Sequence, residues 1–249
     1  MFDKYFEVIL ANTQKSREIH YNIRYQVYCE ELGYEDVTQF PNQQEFDKWD
    51  PQNDHDQGTL LFLVRLKHTG QWIAAMRVVH CQDNKLPLHE FSSLDHNINN
   101  SVVEFSRLCI VKEIRKPYVQ NAYGINEANT SDYQIAKDTD ENEHLKYFYS
   151  NPKVKNTIIW GLINAAMKYS ADNHIKEWYL LTNRALARVI RRQGFTVDQV
   201  GEACEHRGQR APYRFDVKEV QGNPMWKDFR KGYRVYSQLS QQEAASYVA

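Results

Sequence analysis

Six residues, Glu45 to Asp50, hold three carboxylates (Glu45, Asp47 and Asp50) interleaved with the rings of Phe46 and Trp49. Such a group can hold a cation, an amine or a set of arginines. It lacks the glycine and terminal glutamate of a calcium loop, which excludes an EF-hand. Arginines occur in unusual places. Arg77 interrupts the apolar run Met76 to Val79, and Arg24 lies beside the apolar stripe of a helical stretch. A buried arginine needs a carboxylate partner, because an unpaired charge in a core is costly. Glu104, Ser106 and Arg107 sit in another apolar run. There a period of two puts Glu104 and Ser106 on one face and Arg107 on the other. Taken singly, Arg24 reads as a surface arginine whose stem covers apolar neighbours, and the acidic loop as solvated. Taken together, the segments predict a buried ion-pair network, either structural or orienting a catalytic carboxylate.

Other chemistries are excluded or disfavoured. The nine histidines show no H-x-x-x-H or H-E-x-x-H spacing, so no metal site is expected. Cys29, Cys81, Cys109 and Cys204 lie far apart with no C-x-x-C pair, and read as free thiols of a reducing compartment. There is no G-x-S-x-G elbow and no Walker loop. The 31 Lys and Arg against 32 Asp and Glu leave a formal charge of -1, too little positive charge for a general nucleic-acid binder. The first residues, with no basic leader and no long apolar stretch, are not expected to be a signal peptide, and the longest apolar stretch, Leu60 to Val64, is too short for insertion into a membrane. The expectation is a cytoplasmic protein. At 249 residues with 42% hydrophobic content, the chain can build one large core.

The elements that must position these residues follow from pattern. Phe6–Leu10 predicts a strand. Thr13 predicts an N-cap for a helix to about Glu31, with Ile19, Ile23 and Val27 on one face and Gly33 ending it. Thr59–Leu66 and Trp72–Val79 predict a hairpin, and Val102–Val111 another strand. A polar, acidic stretch at about 117–152 predicts a long insertion. Helices are expected at Asn156–Ser170 and Arg184–Arg192, and strands at Trp178–Leu181, Phe195–Val200 and Tyr213–Val220. A docked helical tail is expected at about 222–249. The order implies one α/β (α+β) domain over residues 1–249, a mixed central sheet with helices on both faces.

The order of the chemical segments is more specific than any one of them. Arg24, Tyr28, Gly33 and Tyr34, then Glu45, Asp47 and Asp50, then Arg77, then Glu104, Ser106 and Arg107 resemble the acyl-homoserine lactone (autoinducer) synthases. That resemblance implies the GNAT-like acyltransferase fold and places these residues around one cleft. The later run Gly208 to Tyr213 is similar to a sister group: the N-acyl amino acid synthases and the acyltransferases associated with PEP-CTERM/exosortase systems. Two departures shape the expectation. Tyr28 and Tyr34 stand where autoinducer synthases usually carry Phe and Trp. The glycine-rich loop that holds the coenzyme A pyrophosphate is absent after Val111, so the anion lacks its backbone cradle.

The resemblance therefore implies an N-acyltransferase that takes a fatty acyl chain from acyl-phosphopantetheine on acyl carrier protein, with no permanently bound cofactor. The acceptor implied is the α-amine of an amino acid. Glu104 is expected as general base, with Arg107 and Arg77 orienting the carboxylates. Backbone N–H groups near Leu108–Ile110 are expected to stabilise the oxyanion. Lys112, Arg115, Lys116, Lys153 and Lys155 are expected to meet the carrier protein. Two alternatives stay open: lactone synthesis from S-adenosylmethionine, and a non-catalytic module that binds acyl carrier protein.

Overall fold

The computed structural model describes residues 2–56, 58–115 and 152–239, and of these the side chains of 115, 152, 153 and 155 are not described. Apart from Pro152, the insertion expected at 117–152 lies outside the described residues, as do residues 240–249.

Phe2–Tyr5 (α1) leads into β1, Phe6–Leu10. Thr13 then caps α2, Gln14–Arg24, through a reciprocal box. Its hydroxyl accepts the Ser16 N–H at 3.3 Å, and the Ser16 hydroxyl accepts the Thr13 N–H at 3.0 Å. The helix does not run on regularly to Glu31. Tyr25–Glu31 winds as a π-helix, in which the Leu32 N–H reaches the Val27 carbonyl five residues back. Gly33, at φ +61°, reverses the chain.

The hairpin β2, Thr59–Leu66, and β3, Trp72–His80, forms as expected, followed by β4, Val102–Ile110. After β4 come a short helix α3, Lys112–Arg115, and a long helix α4, Pro152–Asp172. Next are β5, Glu177–Thr182, and α5, Arg184–Arg192. The chain closes with β6, Asp198–Gln199, β7, Cys204–Glu205, β8, Gln209–Asp216, α6, Val217–Gln221, and β9, Tyr233–Val235. The strands form one sheet in the order β6-β8-β5-β4-β3-β2-β1-β9, with β7 paired to β8. Phe62, Leu63, Ile73, Ala74 and Met76 at its centre are fully buried. Among the described residues, no helix is long and apolar enough to cross a membrane.

Three expected elements differ. The strand expected at Tyr213–Val220 stops at Asp216, whose carboxylate accepts the Glu219 N–H at 3.0 Å and starts α6. The strand expected at Phe195–Val200 shrinks to β6. There Phe195 and Val197 turn into the core, and only Asp198 and Gln199 pair with β8. The described part of the expected helical tail, residues 222–239, is instead two 3₁₀ turns around β9, which pairs in parallel with β1. Sheet pairing satisfies its backbone, so a helix is not needed.

Two irregularities in the middle of the sheet prepare the site. Across β3 and β4 the register steps from Ala75↔Cys109 to Arg77↔Ser106, so β4 carries one extra residue. Arg107 sits in this bulge at φ +51°. On the other side of β4, parallel pairing with β5 runs only from Val102↔Glu177 to Phe105↔Leu180. Beyond Phe105 the two strands part, leaving β4 from Ser106 to Ile110 without a β5 partner.

Candidate active site

The acidic loop folds onto α2 and β3. Arg24 is fully buried. It makes a fork with Asp50 (Nη1–Oδ1 2.7 Å, Nη2–Oδ2 2.9 Å), and its Nε donates to Glu45 Oε2. Arg77 donates through Nη1 to Asp47 Oδ1 at 2.5 Å and lies 3.2 Å from Asp50 Oδ2, while its Nε reaches the Ser106 hydroxyl at 3.0 Å. Arg107 donates to Glu45 Oε1 at 3.1 Å and to Asp47 Oδ2 at 2.7 Å. Three guanidinium groups thus meet three carboxylates in one closed network of zero net charge. Each charge that leaves water here gains paired, hydrogen-bonded partners, which is what burial of ions requires.

The alternation rule misplaced one residue. Arg107 was expected on the face opposite Ser106, yet both reach the network, because the bulge adds a residue and turns Arg107 to the same side. The loop that brings the carboxylates is itself tied. Asp50 Oδ2 accepts the Asp47 N–H at 2.7 Å, and Asp47 Oδ1 accepts the Trp49 N–H at 2.9 Å. The Thr59 hydroxyl holds the Trp49 carbonyl at 2.7 Å.

Burial divides the network. Asp50 is spent on arginines deep inside, and Arg24 and Arg77 together hold its carboxyl well below the usual carboxylate range despite desolvation. Asp47 and Arg107 have 26% and 16% of their side chains exposed, so they form the edge that a ligand can touch. Beneath them His20 is fully buried, and neither ring nitrogen makes a hydrogen bond. Burial, then the Arg24 charge, pushes its pKa down to about 3, so it stays neutral and adds no charge to the network.

Glu104 lies outside this network. It is 3% exposed, and its Oε2 accepts the Leu88 N–H at 2.7 Å. Desolvation dominates and raises its pKa to about 8, against the opposing pull of the Leu88 N–H, Arg77 and Arg107. Leu88 belongs to the 3₁₀ turn Pro87–Glu90. The same turn carries Glu90, which accepts the Trp49 indole N–H at 2.6 Å and so links the Glu104 pocket to the acidic loop.

The third wall is aromatic. The Tyr28 carbonyl accepts the N–H groups of Tyr34 at 2.7 Å and Glu35 at 3.3 Å, so the π-wound turn and Gly33 bring Tyr34 back over Tyr28. The two rings stack at 6.2 Å. The Tyr28 hydroxyl donates to the Leu108 carbonyl at 3.1 Å, which fixes the ring against the parted stretch of β4. Leu108 and Ile110, both expected at the site, lie on that stretch.

Sequence reading missed several participants. Leu88 acts through its backbone, which no side-chain pattern reveals. Glu35 and Arg207 come from loops. Arg207, in the turn between β7 and β8, ion-pairs with Glu35 and places its guanidinium 5.5 Å and 5.6 Å from the Tyr28 and Tyr34 ring centres. A basic residue before Gly208 at a hairpin tip was the available signal. Of the residues expected to dock a carrier, Lys112 is exposed. Lys116 and the side chains of Arg115, Lys153 and Lys155 lie outside the described residues. Among the described residues no group of His, Cys, Asp and Glu is arranged to hold a metal ion.

The mixed sheet, with its parallel β4–β5 pair parting after Phe105, has the GNAT-like fold. Residues 23–123 match the acetyltransferase (GNAT) domain model. The solved structures agree. BjaI, a coenzyme A-dependent acyl-homoserine lactone synthase solved with MTA, superposes with a TM-score of 0.59 at 13% identity, over 93% of this chain and 92% of its own. The acyl-homoserine lactone synthase LasI gives 0.52 at 16% identity, over 88% of this chain and 95% of its own. FeeM, an N-acyl amino acid synthase, gives 0.49 at 11% identity over 90% and 98%, too distant a likeness to weigh in the choice of substrate. No curated protein matches in sequence.

Proposed function

We propose that the chain is an N-acyltransferase that moves a fatty acyl group from a phosphopantetheine thioester to the α-amine of an amino acid. One observation carries this reading. A desolvated carboxyl group, Glu104, sits beside the arginine–carboxylate network at the point where β4 leaves β5. The amine nitrogen attacks the thioester carbonyl, the C–N bond forms and the C–S bond breaks. Glu104, as carboxylate, takes the proton the amine loses, directly or through a water, and the departing thiolate takes up a proton. A thioester is already activated, so no enzyme nucleophile is needed. Backbone N–H groups of β4 beyond Phe105 would stabilise the oxyanion. Asp47 at the cleft edge would hold the incoming ammonium before it is deprotonated.

Acyl carrier protein is the proposed donor, because the sequence after β4 lacks the glycine-rich pyrophosphate cradle. The α5 helix begins just past the C-terminal end of β5, on the side where β4 and β5 part. Its Arg184, Arg188 and Arg192 are exposed and, among the described residues, make no hydrogen bond or ion pair. At i, i+4 and i+8 they form one basic stripe suited to an acidic carrier. The test is turnover with acyl-carrier and acyl-coenzyme A donors, with mass spectrometry of the product. An N-acyl amino acid supports the reading. Consumption of S-adenosylmethionine to a lactone replaces it, and binding of the carrier without turnover reduces the chain to a binding module.

A further inference from the structure

We infer that Arg207 is the specificity-determining residue for the acceptor's carboxylate, an inference that rests on the N-acyltransferase reading. The four arginines around the cleft are not equivalent. Arg24 spends three nitrogens on Asp50 and Glu45. Arg77 spends two on Ser106 and on Asp47 with Asp50, and Arg107 spends two on Glu45 and Asp47. Each of these three is held by at least two protein carboxylates, with one terminal nitrogen left over on Arg77 and one on Arg107 among the described residues.

Arg207 is different. Its one ion pair uses Nη2, on Glu35, and its Nε and Nη1 make no hydrogen bond among the described residues. A guanidinium offers five N–H donors in a planar fork that fits a carboxylate. Half of that fork is unspent here, on a side chain 16% exposed. Its position is also defined. The two tyrosine rings lie under it, and a tight turn with Arg207 at φ +51° and Gly208 at φ +93° holds its backbone. Arg210, close behind in β8, adds positive charge to the same corner. An amine with a carboxylate one carbon away could therefore rest its ammonium near Asp47 and its carboxylate on Arg207, spanning the Tyr28 and Tyr34 rings. Glu35 marks the place a carboxylate takes.

The test compares an amino acid with its carboxamide as acceptors, under the same acyl donor, in the wild-type chain, Arg207→Gln and Glu35→Gln. The wild type should favour the acid over the amide in kcat/KM by about 10-fold to 100-fold, because an acceptor lacking the group leaves the site's donors unpaired. Arg207→Gln should bring that ratio within about 3-fold. Glu35→Gln removes the competing negative charge from Arg207 and should lower the acid's KM without moving the amide's; this second arm stands if Arg207→Gln fails to fold. An unchanged acid preference in folded Arg207→Gln overturns the inference. A wild type that acylates both acceptors equally also overturns it and leaves the N-acyltransferase reading intact. A wild type that acylates no amine removes both.

Discussion

Glu104 and Asp50 are each 3% exposed, yet they hold protons in opposite ways. Asp50 meets the Arg24 fork and Arg77, so its carboxyl stays ionised far into acid. Glu104 meets one backbone N–H and, among the described residues, hydrogen-bonds no guanidinium, so burial wins and its pKa rises to about 8. Equal burial with unequal partners gives one fixed anion and one proton-exchanging acid. In the proposed reaction, that separation would let one site both anchor a charged acceptor and remove its proton. The network pairs its charges and holds them still, whereas Glu104 is raised into the range where it can exchange a proton.

The comparison breaks first at Glu104. Glu104→Gln keeps the volume and an oxygen for the Leu88 N–H but cannot take a proton. Turnover should fall by about 10²–10⁴-fold in a protein that keeps its circular dichroism spectrum. Wild-type turnover in the folded variant would remove Glu104 from the reaction.

On the closed side the expected loss is stability. Arg24→Ala strands Glu45 and Asp50 without their buried partner, and denaturant titration should show a loss of about 3–5 kcal/mol. Asp47→Asn, at the cleft edge, should lower kcat/KM more than it lowers stability, and Asp50→Asn the reverse. The two carboxyls also sharpen the contrast in stability against pH. Asp50, depressed from 3.8, contributes stability above that value that is lost in acid. Glu104, raised from 4.5 to about 8, contributes stability at low pH that is lost as pH rises through that window. Glu104→Gln, which mimics the protonated acid, should therefore match the wild type in acid and become increasingly the more stable of the two as pH rises toward about 8, as followed by chemical denaturation across pH.

The smallest effect is expected at the rim. Replacing Arg184, Arg188 and Arg192 with Glu should raise the KM for acyl carrier protein by about 3-fold to 10-fold at low ionic strength, less as salt screens the contact, and leave a small thioester donor unaffected. Equal effects on both donors would count against a carrier surface on α5.

Much of this was legible in the residues. Phe6–Leu10, Thr59–Leu66 and Arg184–Arg192 match their observed spans because period, capping and breaker residues agree there. The network could be anticipated because Arg77 and Arg24 are out of place by local pattern and only carboxylates can make such placements affordable. What escaped depends on the backbone. The bulge at Arg107 reverses a face without changing composition, the Asp216 cap ends a strand early, and the Leu88 N–H has no side-chain signature. Arg207 escaped because a turn residue gains meaning only when the turn is seen against Tyr28 and Tyr34.

The pH dependence of kcat/KM tests the account most directly, measured with an acceptor whose amine is already neutral at about pH 6 so that the enzyme alone titrates. The wild type should rise along a single limb with a midpoint near 8, the value to which burial lifts Glu104, and Glu104→Gln should be slow and flat. A wild-type profile without that limb, or a Glu104→Gln profile that retains it, would contradict the assignment of Glu104 as the base.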